Sequence, residues 1–401
     1  MASLSYRPQA CPEQGRTGLS LIRLAAFALL SVTIAGCVPR AGPAVQLPTE
    51  TVLRPEAPRV NPRLPADETR NRVAVLVPLS GSNAALGQSI LNAANLALLD
   101  TGGERIRITA YDTATGAVPA ANEAIAEGNG LILGPLLAED VRAVAPVARA
   151  ADVPVIAFSN DVSVAGNGVY VMGINPGQSI QRVVAFAHSR GATRFSALVP
   201  TNVYGQRASQ ALTAAVEGAG GRLTGVQTYD RTAAGPQAAA TRLNGQGQYE
   251  AVLIADGSRI AVQIVPIVRQ ASPQPRVLGT ELWATEANVG ANVGLRGAWY
   301  AAPSDGLFNQ FRIRYRARYN AAPFRLASLG YDAVLLAVRA AANWPVGRAF
   351  PVRTLREGDG FTGVDGAFRF ARDGVADRAL EVREVTAVGS TVVSPAPRGF
   401  N

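Results

Sequence analysis

The sequence contains no lysine, one histidine and two cysteines. Each shortage closes a class of chemistry. Without lysine there is no Ser-Lys dyad, no lysine Schiff base and no Walker A phosphate loop. Cys11 and Cys37 both stand at or before the point where a leader would be cleaved. The body beyond them therefore offers no disulfide and no thiolate metal site. His188 follows Val183, Val184 and Phe186 and precedes Gly191, a position that suits a helix C-terminus better than a general base. Hydrolysis has almost no residues to run on, so a non-enzymatic protein without metal or cofactor is expected. Basic, aromatic-interleaved modules for nucleic acid are missing too.

What is present points to a large packed body. Of 401 residues, 48% are hydrophobic and 17% charged, enough for two compact units after a leader. The net charge is +9 and all basic residues are arginine, which together with the alanine richness reflects base composition rather than a charged ligand. Arg23 opens an apolar stretch, Leu24 to Thr33, too short to span a membrane as a mature helix. It ends in Ile34-Ala35-Gly36-Cys37, which resembles a bacterial lipobox, with lipidation at Cys37 and an ordinary secretory signal as the alternative. The long segment before it leaves the true translation start open. Val38 behind the cysteine resembles lipoproteins sent to the outer membrane. Residues 1–37 thus read as a signal peptide and 38–70, with seven prolines, as a semi-extended tether. At ~3.1 Å per residue such a tether reaches on the order of 100 Å.

From Arg72 strands and helices alternate. Strands are expected at Val73–Val77, Ile106–Tyr111, Leu131–Leu133 and Val155–Phe158, then at Arg194–Leu198, Arg222–Tyr229, Ala251–Ile254 and Arg276–Leu278. Helical patterns lie between them, with Ser82 and Asn83 placed to cap the first at Ala84–Leu99. The alternation implies two parallel sheets covered on both faces. Gly218-Ala219-Gly220-Gly221 follows a helix and precedes a strand, so it is a helix stop and not a phosphate loop. Phe308, Phe311, Tyr315 and Tyr319 form a core stripe, with Arg312, Arg314, Arg316 and Arg318 as a solvated face. Ala367–Phe370 and Leu380–Thr386 are expected to pair through the turn Arg372-Asp373-Gly374.

Five stretches, PLSGSNAALG, LILGPLLAEDVRAVAPVARAADVPVIAFSN, ALVPTNVYGQRAS, VLGTELW and SLGYDAV, follow one another as in type I periplasmic binding proteins, among which branched-chain amino-acid binders are the nearest large group. The chain resembles that family from about Arg72 to Thr386. Within it, GPLLAED at Gly134–Asp140, FSNDVSVAG at Phe158–Gly166 and SPAPRGF at Ser394–Phe400 are similar to penicillin-binding protein activators. The resemblance implies two Rossmann-like α/β lobes joined by three crossovers, near Tyr170–Asn175, Gly297–Pro303 and Pro345–Thr354. It divides the body into lobe 1 (71–172), lobe 2 (173–299), a return to lobe 1 (300–345), a C-terminal segment of lobe 2 (346–390) and a tail (391–401).

The same resemblance implies a cleft between the lobes. Glu281 matches an acidic partner for a ligand ammonium and Tyr204 an aromatic cleft residue, while Ser80, Gly81, Ser159, Asn160 and Asp256 stand at strand ends facing the mouth. Leu136 and Leu137 replace the small hydroxyl residues that hold an amino-acid carboxylate in the family, and Val162 replaces a threonine. Binding of a free α-amino acid is therefore disfavoured. A regulator of peptidoglycan synthesis, partnered by penicillin-binding proteins or peptidoglycan, is the expected function. The alternative is the receptor of an ABC importer, with a permease and a small amino-acid-like ligand as partners.

Overall fold

The computed structural model describes residues 69–271, 274–286, 289–397 and 399–400. Cys37, the leader and residues 38–68 of the tether lie outside them. The first sheet opens with β1 (Asn71–Val77), whose Val73 to Val77 are all fully buried, as a β-branched run requires. It continues through α1 (Ala84–Asp100), β2 (Ile106–Asp112), α2 (Ala117–Ala126), β3 (Leu131–Leu133), α3 (Ala138–Ala150), β4 (Val155–Ala157) and β5 (Val169–Val171). Its order is β2-β1-β3-β4-β5 and every pairing is parallel. Asn83 occupies the cap position of α1 but its side chain makes no capping bond.

The chain then enters a second array: α4 (Pro176–Ser189), β6 (Arg194–Pro200), α5 (Val203–Gly218), β7 (Arg222–Tyr229), α6 (Gly235–Asn244), β8 (Ala251–Ile254), α7 (Ser258–Val268), β9 (Arg276–Gly279) and β10 (Trp299–Ala302). It returns to the first lobe as α8 (Asp305–Tyr319) and α9 (Ala327–Ala341). α9 lies so close to α1 that a Cβ on Gly330 would meet the Ile90 carbonyl oxygen at 2.4 Å. A three-stranded antiparallel sheet follows, β11 (Phe361–Gly363), β12 (Gly366–Phe370) and β13 (Ala376–Arg378). Finally β14 (Glu381–Thr386) and β15 (Gly389–Ser394) complete a seven-stranded sheet of order β15-β14-β10-β9-β8-β6-β7. Buried apolar clusters cover both faces of each large sheet.

Several expectations need correction. Trp299–Ala302 is an inner strand of the second sheet, so the return to lobe 1 falls at Pro303–Ser304 and not at residue 300. Residues 346–378 pack on the first lobe: Phe350, Leu355, Phe361, Phe368 and Phe370 join its core. Fully buried Asp332 of α9 fixes this segment by accepting the Val364 N–H at 2.7 Å. The third crossing is consequently at Ala379–Leu380, not near Pro345–Thr354. The turn at Arg372–Gly374 joins β12 to β13, while β14 pairs with β10 and β15, and part of the expected tail is a strand.

Buried arginines staple the crossings. Arg378 donates to the Met172 carbonyl at 2.6 Å, tying the third to the first. Arg383 donates to the Pro303 carbonyl at 2.6 Å and to the carboxylates of Glu381 and Asp305, tying the third to the second.

Candidate functional site

Open parallel sheets meet ligands beyond the carboxyl ends of their strands, and in both lobes the residues expected to line a cleft stand just past those ends. In the first lobe, Pro78 ends β1 and the chain turns at exposed Ser80 and Gly81, the latter at φ +70° with open space around it. Asp112, at the end of β2, holds this turn by accepting the Leu79 N–H at 2.7 Å and the Ala114 N–H at 2.9 Å. Burial pushes the Asp112 carboxyl up, but the Ser80 hydroxyl and these amides outweigh it and hold the acid below its usual range. Leu136 packs against the first-lobe core and presents no hydrogen-bonding group.

Ser159 is buried and accepts the Asp161 N–H at 3.1 Å, whereas Asn160 beside it is exposed. Asp161, which the sequence did not single out, is 3% exposed and gathers the polar groups of this rim. It accepts from Ser163 Oγ at 2.6 Å and pairs with Arg142 at 2.5 Å. It also pairs at 2.6 Å with Arg207, which belongs to α5 of the other lobe. Burial alone would raise the Asp161 carboxyl; Ser163 and the two arginines bring it down to about 2.

The second lobe contributes the unusual group. Asn202 caps α5 by accepting the Gly205 N–H at 2.9 Å, which places Tyr204 in the first turn. Its hydroxyl donates to Glu281 Oε1 at 3.0 Å and sits 2.9 Å from Thr280 Oγ1. Glu281 is 7% exposed, and its second oxygen, Oε2, is buried without a hydrogen-bond partner among the described residues. Desolvation pushes this carboxyl up to about 7, against the hydrogen bonds from its own backbone and from Tyr204. A buried acceptor left unpaired costs about 1–3 kcal/mol, so the site gains when a donor arrives.

Asp256 differs. It accepts both Arg231 Nε and Nη2, at 3.0 and 2.9 Å, with Tyr229 and the Gly257 N–H adding 2.9 and 2.8 Å bonds. Its oxygens are already occupied, and it shapes the rim next to Trp283, whose indole donates to the Asp256 carbonyl at 2.9 Å. The structure thus joins Tyr204 to Glu281, has Ser159 accept a local backbone N–H, and neutralises Asp256 with Arg231. His188 lies in the last turn of α4, outside the site.

A family model described as periplasmic binding protein matches residues 71–390. The chain belongs to the periplasmic binding protein family. Its fold is that of the type I members, as solved structures bear out. A leucine binding protein from Thermotoga maritima superposes with a TM-score of 0.61 at 20% identity, covering 81% of this chain and 98% of that one. A branched-chain amino acid ABC transporter periplasmic ligand-binding protein from Burkholderia xenovorans gives 0.66 at 15% identity, covering 82% and 96%. The branched-chain amino acid transporter substrate binding protein from Streptococcus pneumoniae, solved with isoleucine, gives 0.59 at 17% identity, covering 81% and 100%. An uncharacterized protein of Rickettsia prowazekii is 27% identical over 142 residues, 35% of this chain. The chain spans 38% of the length of that curated relative.

Proposed function

We propose that the chain is the ligand receptor of an envelope import system, and that Glu281 anchors an amine or amide group of a small molecule as the lobes close. The observation that carries this reading is the buried, unpartnered Glu281 Oε2 beside Tyr204. A ligand N–H directed at that oxygen satisfies it and restores the charged carboxylate. Family members of similar fold described as leucine and branched-chain amino acid binders support a ligand of related chemistry. The rim around Leu136 argues for one whose other end is amide-like or apolar, because Leu136 packs against the core and its side chain offers no donor to a free carboxylate. No bond is made or broken; binding is reported by lobe closure to a permease. Lipidation at Cys37 and the tether 38–70 would keep the receptor at the membrane.

The regulator of peptidoglycan synthesis is a second reading, favoured by the apolar rim and by Val38, which suits outer-membrane placement. Affinity capture of the lipidated chain from envelopes separates the two. Recovery of a permease complex supports the receptor. Recovery of penicillin-binding proteins without a permease overturns it.

A further inference from the structure

At the end of the second lobe remote from the cleft, where β9 and β10 begin, a hollow of about 560 Å³ opens beside the C-termini of α4 and α7. Four guanidinium groups line it: Arg190, Arg269, Arg276 and Arg296. Its one acid, Glu250, is spent on the β6 end, accepting the Thr193 and Arg194 N–H groups at 2.7 and 3.0 Å and pairing with Arg194 at 3.1 Å. Arg269 is held by the Arg296 carbonyl at 2.9 Å and Arg276 by the Gly297 carbonyl at 2.5 Å. Arg276 also lies over the Trp299 ring at 4.2 Å, with Glu384 4.0 Å from its guanidinium. Arg190 stacks on Phe186 at 5.1 Å, and among the described residues neither Arg190 nor Arg296 meets a carboxylate.

Part of this charge has an ordinary explanation. Arg190 and Arg269 cap the C-termini of α4 and α7, and each helix end offsets about half a positive charge. Glu384 offsets one more at Arg276. The hollow still retains roughly two positive charges. We infer that it binds a phosphomonoester. A dianion matches that surplus, and its terminal oxygens accept the forked N–H groups of arginine, two of which are already fixed in place by backbone carbonyls. The hollow has room for more than a phosphate. Its remaining walls are Gln274, Pro275, Val277, Trp299 and small residues, so the body of the ligand is compact. The site is distinct from the cleft and independent of what the cleft holds.

Calorimetric titration of the full chain at low salt tests this, with inorganic phosphate, glucose 6-phosphate and glucose as probes. The variants are the Arg190→Gln/Arg296→Gln pair and, as a control on α8, Arg312→Gln. All three positions are exposed, so folding is retained and is checked by melting. Both phosphates are expected to bind, the ester more tightly, and glucose not at all. The paired variant is expected to weaken the ester about tenfold or more and the control to leave it unchanged. The inference is overturned by the absence of phosphate binding, by an ester no tighter than inorganic phosphate, by glucose binding equally, or by equal losses in the pair and the control.

Discussion

Arg207, one turn beyond Tyr204 on α5, holds Asp161 of the opposite lobe at 2.6 Å. The bond crosses the cleft side of the molecule, while Arg378 and Arg383 hold the hinge side. Asp161 keeps Arg142 and Ser163 when Arg207 is removed. Arg207→Ala should therefore cost only about 1 kcal/mol of stability while letting the lobes separate. Small-angle scattering of the ligand-free chain is expected to show a larger radius of gyration for the variant; an unchanged profile contradicts the latch. Because the folded Asp161 carboxyl sits near 2, below its unfolded value, its contribution is complete above about pH 4 and is lost as pH falls toward 2.

Glu281 behaves in the opposite sense. Its folded carboxyl is raised to about 7, so the stability tied to its neutral form is present below the unfolded value and is lost as pH rises through 7. Glu281→Gln keeps a neutral group of the same shape. The ligand-free variant is expected to be more stable than the parent at pH 8, by about 1–3 kcal/mol, and nearly equal to it at pH 5. Denaturant melts at the two pH values measure this. Equal destabilisation at both would show that the carboxylate is already satisfied.

The approach of α9 to α1 makes a sharp packing prediction. At Gly330 even one methyl group meets the Ile90 carbonyl at 2.4 Å and its side chain at 2.8 Å. Gly330→Ala should destabilise by about 1–3 kcal/mol despite the better helix propensity of alanine. A stabilised variant would mean that the helices sit farther apart.

The C-terminal end also links the lobes. Ser394 and the Pro395 carbonyl accept from Arg182 of α4 at 2.6 and 3.3 Å, and Phe400 lies under Arg369 of β12 at 4.7 Å. Phe400→Ala removes a cation–π contact of about 0.5–1 kcal/mol. Hydrogen exchange is expected to rise in β12 and to stay unchanged in β6 and β8; uniform protection would dismiss the strap.

Much of this architecture is legible along the chain because most of its strands are short apolar runs with a helical pattern after each. Leu131–Leu133, Arg222–Tyr229 and Ala251–Ile254 fall where their patterns put them. The third crossing was not legible. β11 and β13 are three residues each, and what draws them to the first lobe is the burial of Phe361, Phe368 and Phe370 and the amides held by Asp332, contacts that no local period encodes. The site divides in the same way. Glu281 and Tyr204 stood out through motifs at two strand ends, and the fold joins them. That Asp256 is consumed by Arg231, or that Asp161 reaches Arg207, depends on partners from neighbouring loops or the other lobe.

The central claim is that Glu281 is the anchor for a ligand amine or amide. Parallel calorimetric titrations of the parent chain and Glu281→Gln, with a panel of small amines and amides at pH 6 and pH 8, test it most directly. The account predicts a ligand bound with micromolar or better affinity, about −8 kcal/mol, at pH 8. For a cationic amine, binding should weaken about tenfold at pH 6 as Glu281 takes up its proton, and the variant should bind at least tenfold more weakly with little pH dependence. Equal affinity in parent and variant, or the same pH profile in both, would contradict it.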